Sequence, residues 1–144
     1  MPAWLMLALV ALGLPRTILA DLGIVAPESS RVYFVLALTP FAVWLAVAVV
    51  RPTKSPLTDH LVVGGLYGLS LVIIHEALWS VASSLGHHPP PSAVDFAARF
   101  DPPLDTVALH GYSFVIAMMI GLGSGLVIGL VATVAKLVRA RHAR

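Results

Sequence analysis

The 144-residue chain contains no cysteine. That absence excludes disulfides, thiolate metal sites, iron–sulfur clusters and CxxC redox chemistry, and it leaves the redox compartment open. Charge is the second scarcity. Asp, Glu, Lys and Arg together make up 11% of the residues, where a soluble domain carries roughly 25%. There is no visible internal repeat, so two inverted halves encoded in one chain are not expected. No glycine-rich turn lies between a strand and a helix to cradle a phosphate. No serine sits in a nucleophile-elbow context, and Ser80, Ser83, Ser84, Ser113 and Ser124 have no spacing that forces a histidine neighbour. An enzyme is the less favoured class. The N-terminus also lacks a basic n-region, and Ile18 and Ala20 do not make a small-x-small cleavage site, so the first apolar stretch reads as an uncleaved helix.

What the chain does have is apolar length. Hydrophobic residues make up 58% of it and the mean hydropathy is +0.92, which belongs to the membrane class. The sequence predicts an all-α integral membrane protein: one compact domain, a bundle of four transmembrane helices over about residues 3–25, 32–50, 61–85 and 107–135. Residues 136–144 form a basic tail. Pro15 kinks the first span and Thr39-Pro40 the second. Tyr33 and Trp44 read as lipid-touching filler, and Thr58 or Asp59 as the cap of the third span. In the long connection between helices 3 and 4 a triple proline blocks helix continuation. Ser92 and Asp95 then resemble a capping box opening a short interfacial helix, VDFAARF.

Orientation follows from the basic residues. With both termini on one side, Arg51, Lys54, Lys136, Arg139, Arg141 and Arg144 fall together. The other side has only Arg31 and Arg99, diluted by Glu28, Asp95, Asp101 and Asp105. The positive-inside rule makes the N- and C-termini cytoplasmic. The sequence pI of about 9.4 comes mostly from the last nine residues, so it reads as a membrane flank and not as a nucleic-acid surface. Two Lys against seven Arg, with abundant Ala, Val, Leu and Gly, point to a GC-rich bacterial genome, hence to the inner (plasma) membrane of a bacterium.

Ionisable residues inside the spans are expensive in lipid and mark candidate functional positions. Taking about 1.5 Å of rise per residue, Arg16, His75 and Glu76 fall within roughly 5 Å of the midplane. Asp21, Ser80 and Ser83 lie roughly 10–15 Å outward, and His87 and His110 near the outer boundary. At 100° per residue Glu76, Ser80 and Ser83 form one polar stripe. His75 shares a face with Gly64, Gly68 and Leu71, and so should look at another helix. Arg16, matching Glu76 in depth, is the expected ion-pair partner of Glu76.

His75-Glu76-Ala77-Leu78-Trp79 fails the zinc-protease pattern, because Trp79 stands where the second histidine belongs. A haem held by His75 and His110 fits poorly, the two being roughly 13 Å apart in depth by the same rise. A metal site using His87, His88, His110 and a carboxylate is open on ligand types alone. No resident cofactor is implied. Gly121, Gly125 and Gly129 form two overlapping small-xxx-small repeats, and Gly64 and Gly68 repeat the spacing on the third span. They pack either the third span on the fourth or two copies of the fourth span together.

The expected function is proton- or ion-linked transport, or channel-like permeation, of a small solute by an oligomer. Its outward-facing polar site would hold Glu76, Arg16, His75, Asp21, Ser80, Ser83 and His110. The alternatives are a non-catalytic structural or regulatory subunit docking to a larger membrane complex, and a metal- or haem-binding membrane protein. The lipid bilayer is the expected partner in every case.

Overall fold

The computed structural model describes residues 1–25, 31–84 and 91–142, apart from the side chains of 80, 82–84 and 91. The described residues form five helices: α1 Ala3–Asp21, α2 Arg31–Val50, α3 Pro56–Ser84, α4 Pro91–Ala97 and α5 Leu104–His142. Four of them are long and apolar enough to cross a membrane. Among the described residues the protein is thus all-helical, and a helix satisfies its own backbone where no water is present to do so.

Cross-helix contacts fix an up–down arrangement. At one end of the bundle, the Met1 amine meets Asp59, Lys136 Nζ donates to the carbonyl of Lys54, and Arg139 donates to that of Val50. The last of these supplies a donor at Val50, where α2 ends and its carbonyls have no partners of their own. At the other end α4 packs on α5, with Phe96 and Tyr112 ring centroids 5.4 Å apart.

Helix boundaries depart from the sequence expectation in ways local chemistry explains. α3 starts at Pro56, a residue suited to the first turn because its missing N–H needs no partner there. Asp59 therefore does not cap the helix, and its carboxylate takes the Met1 amine instead. The short helix begins at Pro91, so Ser92 and Asp95 lie within it and do not flank its start. α5 continues through the basic segment to His142, for 39 residues in all. At 1.5 Å per residue it is about 58 Å long, roughly twice the hydrocarbon thickness, so it projects beyond the bilayer.

The contact between α3 and α5 is the most extensive in the bundle. Gly121 lies against Gly64 and Gly68, Gly125 against the backbone of His60 and Gly64, and Gly129 against Leu57. A Cβ built on Gly64 would run into the carbonyl oxygen of Gly121, and one built on Gly121 into that of Gly64. Each ridge is thus cut to the depth of the other, and the glycine ridge of α5 is consumed within the protomer.

α1 and α2 join this pair through an aromatic cluster of Phe41, Trp44 and Tyr67, with centroids 5.5–6.3 Å apart in edge-to-face geometry. Trp44, expected at the lipid boundary, is 1% exposed, and its Nε1–H donates to the carbonyl of Leu9 at 2.7 Å. The indole needs a partner for its N–H once buried, and a helix carbonyl supplies it. Gly13 gives Tyr67 its seat on α1. Val63, Leu71, Ile128 and Ala132 complete this core.

The glycine contact yields a test. Gly121→Ala should lower the thermal midpoint of the detergent-purified protein by several degrees, corresponding to about 1–3 kcal/mol of overpacking. Gly123→Ala, whose added Cβ meets nothing within 4 Å, should leave the midpoint unchanged or slightly raised, since Ala is the better helix former.

Candidate functional site

Between the aromatic core and α4 the helices part around a cavity of about 270 Å³. Its residues repeat at helical spacing on each element. From α1 come Arg16, Thr17 and Asp21; from α3 come Leu71 and His75, one turn apart; from α5 come Tyr112, Ser113, Ile116, Ala117 and Ile120. Ala93 of α4, fully buried, closes one side. Below Leu71 the next residues on the same face of α3 are Tyr67 and Val63, both in the packed core. The cavity is therefore blind toward the end of the bundle that carries Met1.

Its polar groups are incompletely paired. Among the described residues six buried side-chain polar atoms have no hydrogen-bond partner, and three of these belong to lining residues: Thr17 Oγ1, Asp21 Oδ2 and His75 Nε2. An unsatisfied buried polar atom costs about 1–3 kcal/mol, so finding half of them around one cavity marks the place where a partner would be most stabilising. His75 Nδ1 faces Asp21 Oδ2 at 3.5 Å, within ion-pair range and too loose for a hydrogen bond. Arg16 is held from α2: Nη1 donates to the Tyr33 hydroxyl at 3.1 Å, and the guanidinium carbon stands 5.4 Å from the ring centroid. The guanidinium also engages the Tyr67 hydroxyl, so part of its set of five N–H groups is already used. The Ser113 hydroxyl donates to the carbonyl of Leu109, which leaves its oxygen free to accept.

The expected ion pair between Arg16 and Glu76 is not formed. Matching depth did not bring them together, because Glu76 lies 100° around α3 from His75 and faces α5. There His110 Nδ1 donates to Glu76 Oε1 at 2.8 Å, and the Glu76 side chain is 43% exposed. Adjacent residues of α3 thus reach different helices, His75 toward α1 and Glu76 toward α5. Trp79 packs on both imidazoles, its centroid 5.3 Å from that of His75 and 4.6 Å from that of His110. The estimated depth gap between the two histidines is accordingly too large. α5 begins three residues earlier than expected, and His110 sits level with Glu76.

Of the sequence-derived site residues, the structure gathers Arg16, Asp21 and His75 on one cavity and sets Glu76 and His110 beside it as a second pair. The stripe read at Ser80 and Ser83 depends on side chains outside the described residues, and His87 and His88 lie outside them altogether. Among the described residues no group of three or more His, Asp or Glu is placed to hold a metal ion. Thr17, Tyr112 and Ser113 are additions the sequence reading missed. Thr17 carried a signal, being one turn before Asp21 on the same face. Tyr33 was seen and given the wrong role. Compared with protein-family models, curated proteins and solved structures, the chain matches none.

A double-mutant cycle distinguishes the two ways of pairing these charges. Glu76→Gln with His110→Gln should show a coupling of about 0.5–1 kcal/mol, as expected for a half-exposed pair. Glu76→Gln with Arg16→Gln should be additive within about 0.5 kcal/mol. Both are read from urea or thermal unfolding in detergent.

Proposed function

We propose that the protein is a carrier for a small polar solute in the bacterial plasma membrane, with both termini cytoplasmic and the cavity facing outward. The observation that carries this reading is the cavity itself, with its cation, its carboxylate and three unpartnered polar atoms in an otherwise apolar lining. Small-molecule sites have this form: mostly apolar walls with a few convergent polar groups. Ionisable groups retained at membrane depth further support it, because each is costly unless it serves a function or a partner. The basic cluster at the Met1 end supports the orientation. In this arrangement α4, with Val94 exposed, and Phe100 just after the helix, also exposed, lie at the outer headgroup level.

Proton linkage enters through His75 and Asp21. A histidine facing a carboxylate at 3.5 Å can gain or lose a proton as the pair tightens or parts. Arg16, Thr17, Tyr112 and Ser113 are the other polar groups around it. The packed core below Leu71 argues for a carrier and against an open pore within one protomer. The passage inward then depends on movement of α1 against the fixed α3–α5 pair. Assembly of several copies would use a face other than the glycine ridge.

Solute uptake into proteoliposomes under an inward proton gradient tests the proposal. Asp21→Asn should reduce uptake at least tenfold, and Ala117→Leu, which fills the cavity, should do the same. Glu76→Gln, on the neighbouring pair, should retain most of it. A folded protein that moves and binds nothing in a broad screen, yet co-purifies with a stoichiometric membrane partner, would favour the docking-subunit role.

A further inference from the structure

The charge count of the cavity narrows what it can hold. With the His75 imidazole neutral, one guanidinium and one carboxylate sum to zero, and the surroundings are apolar. A bound anion or cation would leave a net charge in a low-dielectric site, which is costly by several kcal/mol. A ligand carrying one charge of each sign leaves the total at zero and gives each fixed charge a partner.

Hydrogen-bonding capacity points the same way. Asp21 Oδ2 only accepts, and the Thr17 hydroxyl accepts as well as donates. With Nδ1–H turned toward Asp21, the neutral His75 ring presents a lone pair at Nε2. These three unpartnered atoms are an acceptor set, suited to a group with several N–H donors. Arg16 is the complementary donor, with N–H groups beyond those given to the Tyr33 and Tyr67 hydroxyls. Arg16 and Asp21 are five residues apart on α1, a rise of about 7.5 Å. Both residues line the same cavity, so one small ligand carrying both charges can meet the two together. The remaining walls, Leu71, Ile116, Ala117 and Ile120, offer only aliphatic contact.

We propose that the cavity binds a small aliphatic zwitterion with a primary ammonium group, its carboxylate on Arg16 and its ammonium on Asp21, Thr17 and His75. This rests on the solute-carrier reading and specifies its ligand. A simple monocarboxylate would leave the carboxylate of Asp21 and the hydroxyl of Thr17 without a ligand donor. A quaternary ammonium would bring charge without the N–H groups the acceptors need.

The test is ligand-induced stabilisation of the full-length wild-type chain in nanodiscs, titrated with matched probes and confirmed by equilibrium binding. Leucine and alanine carry both charges, leucinamide only the cation, 4-methylpentanoate only the anion, and trimethylglycine both charges without N–H. The expected result is stabilisation by leucine or alanine, with the other three at least about tenfold weaker. Arg16→Gln should abolish the preference for leucine over leucinamide, and Asp21→Asn the preference for leucine over 4-methylpentanoate. If leucinamide or 4-methylpentanoate binds as tightly as leucine, the zwitterion assignment is overturned and the carrier reading stands. The same holds if all five probes fail while another class of solute binds. If no solute of any class binds to folded protein, both are overturned. The wild-type comparisons decide the matter even where a variant fails to fold.

Discussion

The bundle depends on the contact of two backbones. Where α3 and α5 cross, Gly64 and Gly68 meet Gly121 and Gly125 at distances that leave no room for a Cβ on either side. In lipid there is little hydrophobic gain from helix association, because lipid tails solvate apolar side chains as well as another helix does. Close packing and the contacts it permits have to supply the attraction, and only glycine allows two helix backbones to come this near. α1 and α2 are then laid against that pair through Gly13, Tyr67 and Trp44, whose indole N–H is satisfied by the Leu9 carbonyl.

The cavity is a consequence of this crossing. α3 and α5 touch backbone to backbone near Gly64 and Gly121, and further along the bundle widens into the cavity that Leu71, His75, Tyr112 and Ile116 line. The polar groups lie in that wider part. Packing at the narrow part closes the cavity floor, and α4 covers the wider part through Ala93 and the Phe96–Tyr112 contact. Rigidity in one half and unpaired polar atoms in the other are what a binding site on a stable scaffold requires.

Much of the architecture was legible in the chain. Uninterrupted apolar length revealed the four long helices, and the four-residue spacing of glycines revealed the ridge. Spacing along a helix cannot say which neighbour a ridge meets, so its use within the protomer became clear only from the packed structure. The same limit governed the ionic residues. Counting residues gives depth only from assumed midpoints, and the contacts of His75 with Asp21 and of Glu76 with His110 join residues that the count had put in different layers. Pairing also depends on the rotation and position of each helix. That is why Arg16 went to Tyr33, Asp21 faced His75, and Glu76, the residue on which the sequence reading placed most weight, turned away from the cavity toward His110. Trp44 was misplaced for a related reason: an aromatic near the end of a span is ambiguous between lipid and core until a carbonyl is seen to take its N–H.

The sequence by itself determined the class of protein, the number of long helices and the presence of costly polar groups inside them, because hydropathy and length act locally and need no knowledge of neighbours. The tertiary structure decided which of those groups share a space. A 100° step around α3 separates His75 from Glu76, and only the azimuths fixed by the glycine crossing put the first of them on the cavity and the second outside it.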